Sequence, residues 1–250
     1  MVVLKTVQEI EKMKLAGKIS ARALKLAGEM VEPGISTGKI DEAVSKYIKS
    51  QGAASSTLGY SGFPKSCCIS VNNEIIHGIP SNSCILKSGD IVSIDISANI
   101  GGYHGDNAYT FACGDISENA QKLINATKES LQKAISVAKV GNRLGDVGNT
   151  VEEYVKERGY SVVRDFVGHG VGTSLHEDPS VPNYGKPGHG LRLREGMTIA
   201  IEPMVNEGTS EFITLDDGWT IITADKKLSA HFEHTVAITS SGPLILTDPT

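Results

Sequence analysis

The chain has 250 residues and a net charge of -5, from 24 basic and 29 acidic side chains. Its 40% hydrophobic and 21% charged residues are ordinary for a globular protein, and the length supplies a core for one domain or two fused half-domains. No Lys/Arg block stands out, which argues against a broad nucleic-acid face. No apolar run is long enough to span a membrane, and the first one ends at Lys5, too early for a signal peptide.

In chain order, Thr6 and Glu9 have the spacing of a capping box and predict a long helix reaching about Glu29, broken by Pro33-Gly34. A second helix is predicted from about Lys39 to Gln51, with Ile40, Val44, Tyr47 and Ile48 as its stripe and Gly52 as its stop. Ile91–Ile100 alternates as a strand. Ile91, Ser93, Asp95 and Ser97 share one face, and Val92, Ile94, Ile96 and Ala98 the other. A third helix runs from the Ser117 cap to about Lys139, placed to bridge two halves. A fourth carries Val147, Val151, Tyr154 and Val155 and stops at Gly159. Thr198–Val205 and Phe232–Thr239 read as further strands. Cys67, Cys68, Cys84 and Cys113 show no C-x-x-C spacing, so free thiols in a reducing cytoplasm are expected. Adjacent Cys67 and Cys68 point to opposite faces, so at most one looks into a given pocket.

The chain also repeats itself. An offset of 107 residues pairs Gly34 with Gly141, Gly38 with Gly145, Val44 with Val151, Tyr47 with Tyr154 and Gly52 with Gly159. It also pairs Gly89 with Gly196 and Asp95 with Glu202. An offset kept over a helix and a distant strand implies two related halves about a pseudo-twofold axis. Helices and strands come in blocks, which predicts an α+β fold with an antiparallel-rich sheet.

Four acids sit where half-buried strand residues are expected: Asp95, Asp106, Glu202 and Glu233. Any one alone reads as a strand-end carboxylate or half of a salt bridge. Four together do not, because no matching Lys or Arg lies on these strands and unpaired buried carboxylates are costly. Two divalent cations balance four negative ligands. Oxygen donors with an imidazole suit Mn, Fe, Co or Zn. His169, in Gly168-His169-Gly170-Val171-Gly172, is the candidate imidazole, with His176 following. Alone, His169 reads better as a turn histidine bonded to backbone. The glycines lack the Gly-Lys-Ser/Thr of a phosphate loop. His104-x-Asp106 and His231-x-Glu233 share a pattern that relates the second pair of acids as well.

Asp95, Asp106, His169, Glu202 and Glu233, in that order, resemble the ligand set of the methionine aminopeptidase family. So do the strings His77-Gly78-Ile79-Pro80, Ile201-Glu202-Pro203 and Phe232-Glu233-His234-Thr235. The resemblance covers essentially the whole chain. It implies the pita-bread fold and one catalytic domain, 1–250, with an internal repeat of about 1–115 and 116–250. The chain begins at the catalytic domain, with no zinc-binding extension before it, and has no long insertion between Glu202 and Glu233. These features match the short bacterial type I form. The implied activity is removal of the initiator methionine from nascent polypeptides when the second residue is small.

By the same resemblance, two divalent ions are held as follows. Asp95 binds one, Asp106 and Glu233 bridge, and His169 and Glu202 complete the second. Glu202 doubles as proton acceptor, His176 stabilises an oxyanion, and His77 approaches the scissile amide nitrogen. The methionine pocket maps onto Tyr60, Phe63, Cys68, His77, Leu175 and Trp219, with Phe63 and Leu175 standing where the family commonly has Tyr and Phe. Without the resemblance, His77 would read as a strand-end histidine and Tyr60 and Trp219 as loop aromatics. Also implied are a monovalent cation near Asn72 and Ser229, transient contact with the ribosome, a monomer in the cytoplasm, and no DNA or membrane partner. The rivals are a proline-directed peptidase on the same fold, which usually carries an extra N-terminal domain, and a non-catalytic binding protein, which would lose metal ligands.

Overall fold

Helix caps set the first elements in this computed structural model, which describes residues 1–249. α1 (Val7–Glu29) opens on the expected capping box: the Thr6 hydroxyl accepts from Glu9 N, and Glu9 Oε2 accepts from Thr6 N at 2.7 Å. α2 (Thr37–Ser50) starts two residues before the expected Lys39, because Ser36 is the cap and its hydroxyl accepts from Lys39 N. Three short strands follow: β1 (Ala54–Ser55), β2 (Cys68–Val71) and β3 (Glu74–Ile76). They lead to the long hairpin of β4 (Ile91–Ile100) and β5 (Tyr103–Ala112), turned by Gly101 and Gly102 at φ 59° and 81°. α3 (Glu118–Val137) is capped by Ser117, and α4 (Leu144–Lys156) follows it.

The rest is β6 (Ser161–Val162), β7 (Gly168–Gly170), β8 (Glu177–Val181), β9 (Thr198–Ile201), β10 (Met204–Asn206), β11 (Phe212–Thr214), β12 (Ile221–Thr223), β13 (Ser229–His231), β14 (Glu233–Thr239) and β15 (Gly242–Ile245). The main sheet runs β1-β4-β5-β14-β9-β7-β8, with β2 also on β4 and β15 on β14. Two three-stranded sheets, β13-β10-β6 and β11-β12-β3, complete the set. Every pairing is antiparallel.

One expected strand is divided between sheets, and another starts late. Thr198–Val205 breaks at Glu202-Pro203: β9 stays in the main sheet and β10 joins the small one. Proline has no N–H to continue the ladder, so the chain leaves the sheet there. Phe232–Thr239 begins one residue later than expected, at Glu233, and His231 before it belongs to β13 in the small sheet.

Alternation decides which face the helices cover. Val92, Ile94, Ile96 and Ala98 of β4 pack with Ile19, Ala23 and Leu24 of α1 and Ile40, Val44 and Ile48 of α2. Ile199, Ile201, Val236 and Ile238 pack with Leu123 and Leu131 of α3 and Val147, Val151 and Val155 of α4. Ser93, Asp95 and Ser97 of β4 therefore face the other way.

The offset of 107 residues returns in the backbone. α2 and α4 begin at Thr37 and Leu144, and isolated bridges join Ser36 to Ile85 and Arg143 to Arg192. Gly34 N donates to Leu86 O, and Gly141 N donates to Leu193 O, with φ 96° and 95° at the two glycines. Both positions need the left-handed region, which glycine enters without strain. Among the described residues, no helix is long and apolar enough to cross a membrane.

α1 lies close on β5 because both are bare where they meet. A Cβ on Gly105 would overlap the backbone of Gly17. Gly105→Ala should therefore force α1 off the sheet and destabilise the protein by about 1–3 kcal/mol. Urea unfolding measures this; an unchanged midpoint would show that the helix yields freely.

Candidate metal centre and cleft

Strand register places the acids in rows. Cys68 pairs with Asp95, Asp95 with Ala108, and Ala108 with Glu233, so one row crosses four strands on one face. Ala108 between two acids leaves room beside both. Ser97 pairs with Asp106 in the next row, two residues along, and donates to Asp106 Oδ1 at 2.6 Å. Thr235 locks Asp106 from the neighbouring strand: Asp106 N donates to Thr235 Oγ1 and Thr235 Oγ1 donates to Asp106 O. Glu202 enters from the break between β9 and β10, where Asn183 Nδ2 donates to its backbone carbonyl at 2.9 Å.

His169 stands on β7 between two glycines that close approach requires. A Cβ on Gly168 would overlap Ala200 O, and one on Gly170 would overlap Asp178 O. These glycines serve packing between β9 and β8. The ring's Nδ1 lies 2.9 Å from Gly170 O, which places the proton on Nδ1 and turns a bare Nε2 toward Glu202 Oε1 at 3.5 Å and Asp106 Oδ2 at 3.8 Å.

Burial is the first cause that pushes Asp95, Glu202 and Glu233 well above the usual carboxylate range. Asp106 adds to all three as a neighbouring acid. Asp106 is raised too, by burial, with the Ser97 hydroxyl opposing the shift. Asp95 Oδ1 and Glu233 Oε1 are buried without any hydrogen-bond partner. The ion pairs found around the acids involve only histidines. Asp106, His169 and Glu233 each offer a ligand atom within 4.8 Å of the others. Orphaned carboxylate oxygens, a bare imidazole nitrogen and four like charges fit divalent cations.

All five expected ligands line one cleft, together with His77, His176, Tyr60, Phe63, Cys68, Leu175 and Trp219. Its volume is about 250 Å³, which suits the end of a peptide rather than a large ligand. Cys68 faces the cleft while Cys67 sits in the helix-side core, as their alternation requires. All four thiols are free. Phe63 meets Trp219 edge-on at 5.1 Å, and His77 stands edge-on to Trp219 at 6.1 Å and to Phe166 at 6.0 Å. His176, at the exposed rim, lies 4.0 Å from the His169 ring and 5.0 Å from Tyr60. His77 holds φ 60°, a strained value for a side-chain-bearing residue, and the next residue is pinned by Ser70 Oγ accepting from Gly78 N. Desolvation first, then a neighbouring imidazole, brings both His77 and His176 down to about 4, so both are neutral near pH 7.

Asn72 and Ser229 lie outside this cleft. Ser229 N donates to Asn72 O, and the Asn72 side chain bonds Asp90 and Ile91 N. Sequence reasoning left out Thr57, Ile76, Ser97, Phe166 and Val167 from the cleft wall. It also gave no role to His231, whose Nε2 is 3.7 Å from Glu202 Oε2. Its spacing two residues before Glu233 was the available signal.

A carboxyl raised by burial stabilises the fold only while protonated. That contribution is intact below its ordinary value of about 4 and is lost as pH rises through the raised one. Bound cations remove this loss. The gain in Tm on adding Mn²⁺ to chelator-treated protein should therefore grow from about pH 5.5 to 7.5. Scanning fluorimetry reads it, and a gain that shrinks with pH would contradict the burial of these acids as a cation site.

Against known proteins, residues 11–240 match the model of metallopeptidase family M24. A methionine aminopeptidase of Clostridium perfringens is 55% identical over 99% of both chains. The crystal structure of a methionine aminopeptidase from Thermotoga maritima superposes with a TM-score of 0.98 at 46% identity, covering 99% of this chain and 100% of that one. A prolidase from Pyrococcus horikoshii superposes at 0.79 and 26% identity, with all of this chain covering 65% of that one.

Proposed function

The chain belongs to metallopeptidase family M24, and we propose that it works as a methionine aminopeptidase of the short bacterial type I form. It shares the pita-bread architecture of its structural relatives. The observation that carries the reading is one cleft. Its floor holds five metal-type donors, and its wall is a narrow slot of Tyr60, Phe63, Cys68, Leu175 and Trp219. An unbranched thioether fits such a slot of aromatic and sulfur-bearing surfaces. The duplicated helix starts and glycine turns support halves of about 1–115 and 116–250.

Asp95, Asp106, His169, Glu202 and Glu233 would hold two divalent ions. Such ions polarise a carbonyl and make a water acidic enough to attack near neutral pH. Glu202, on the cleft floor with an oxygen turned to each of two imidazoles, stands where it can take a proton from the attacking water. His176, neutral and at the rim, donates to the oxygen on which negative charge develops. His77, held by its strained backbone, faces the scissile amide nitrogen and assists its protonation. A free α-amine reaches the floor beside Asp95, so the first side chain fills the slot and the second residue falls beneath the His77 loop and the turn to His176. We assign the ions to Mn, Fe, Co or Zn, a monovalent cation to the surroundings of Asn72 and Ser229, and the substrates to nascent polypeptide N-termini. Free thiols fit a reducing cytoplasm, and the family resemblance suggests a monomer that touches the ribosome transiently.

A Met-X peptide series tests the reading. Release of methionine should be efficient for X of Ala, Gly, Ser or Cys and fail for Lys, Glu or Leu, since a displacement of about 1 Å costs about 10²-fold in rate. N-acetylation should block cleavage. Rates insensitive to X, or a preference for X of proline, would point to another peptidase on this fold.

The assigned roles separate in two variants. Asp106→Asn should lose metal and activity together, whereas His176→Ala should keep its metal and lose about 10²-fold in kcat. Metal analysis beside kinetics distinguishes them; equal metal loss in both would displace His176 from its role.

A further inference from the structure

Glu202 lies between two imidazoles. Its Oε1 is 3.5 Å from His169 Nε2, and its Oε2 is 3.7 Å from His231 Nε2. The second ring is used by nothing else in the site. His231 ends β13, opposite Met204 in register, is 2% exposed, and leaves Nε2 with no hydrogen-bond partner. A buried polar atom of this kind asks for a reason.

The neighbouring acid shows what is missing at Glu202. Asp106 has the Ser97 hydroxyl on its carboxylate and Thr235 on its backbone. Glu202 follows the strand break and is held through its main chain by Asn183. Its carboxylate faces only His169 and His231 among the ion pairs found. His231 stands outside the close group of Asp106, His169 and Glu233, and it faces the oxygen that His169 does not. That arrangement suits a support behind a ligand better than an added ligand.

We propose that His231 is a positioning residue for Glu202, its Nε2–H donating to Oε2 so that Oε1 stays turned toward His169 and the ions this pair holds. The inference rests on the metal reading above. The 3.7 Å separation exceeds a hydrogen bond by about 0.5 Å, a gap that a turn of the carboxylate closes. Partners behind a metal ligand fix its orientation, and their loss typically weakens metal affinity by about 10–100-fold.

Calorimetric titration of chelator-stripped protein with Mn²⁺ tests this without reading turnover. His231→Leu should weaken Mn²⁺ binding by about 10–100-fold. His231→Gln, whose amide offers an N–H at similar reach, should stay within about threefold of the parent. With Met-Ala peptide at saturating metal, His231→Leu should lower kcat and leave KM within about twofold, as a change in the catalytic floor rather than the slot would. Should His231→Leu not fold, His231→Met fills the space without an N–H and takes its place. Parent-like binding in the apolar variant, or equal loss in the glutamine variant, would overturn the proposal alone. Failure of the parent itself to bind Mn²⁺ would overturn the metal reading and this proposal with it.

Discussion

Four carboxylates gathered in one cleft repel each other, and burial removes the water that would screen them. That frustration is the constraint the rest of the molecule serves. The sheet must be stiff enough to hold the acids together without their countercharge, and its other face supplies the stiffness. Val92, Ile94 and Ile96 alternate with Ser93, Asp95 and Ser97, so β4 carries helix packing on one side and its acid on the other. Small residues then tune the spacing. Ala108 separates Asp95 from Glu233 in their row, and Gly105 lets α1 lie directly on β5.

The site is also a product of two halves that meet. Asp95 comes from β4 and Glu202 from the break after β9, the two places related by the internal offset. The matching turns at Gly34 and Gly141 show the same local solution used twice. The halves differ where the chemistry differs. β4 continues unbroken through Asp95, whereas the chain leaves the main sheet at Glu202-Pro203 and sends Met204–Asn206 to a second sheet. Glu202 therefore stands at the end of a ladder, where Asp95 has a paired strand on both sides.

Much of this was legible in the residues. The period of two over Ile91–Ile100 identified both the strand and the inward Asp95, and the cap at Thr6 located α1. The four acids were findable as a candidate cation site because strand acids with no basic partner are too costly to bury unless a cation meets them, and His169 stood out only beside them. What stayed hidden has a common cause: alternation tells which face a side chain takes but not which sheet the strand joins. So the division at Glu202-Pro203 and the separate strand ending at His231 were missed, and with them the approach of His231 to Glu202 from the small sheet. Ser97 was assigned to the correct face, yet its bond to Asp106 depends on register across a hairpin. Thr57, Phe166 and Val167 come from segments without period, where sequence carries no positional signal for a cleft wall.

Floor and rim are built by different physics. The floor acids and His169 stand mostly on strands whose backbones are paired on both sides, so their geometry is set by the sheet. The rim residues Tyr60, His77, His176 and Trp219 stand on turns, which have to be tied down individually. His77 is tied by the Ser70–Gly78 bond beneath its strained backbone. The His176 turn is tied from a distance. Glu177 accepts from Ser174 N and lies 2.5 Å from Lys5 Nζ, and the Lys5 side chain is 2% exposed. Lys5 in turn donates its backbone N–H to Gly196 O. An ammonium buried this deeply is tolerated because it meets a carboxylate, and removing either partner would leave the other charge stranded. The first residues of the chain thus bear on the rim of the cleft, opposite in sequence to the strands that make its floor. Each rim turn is anchored on its own, and the floor does not depend on it.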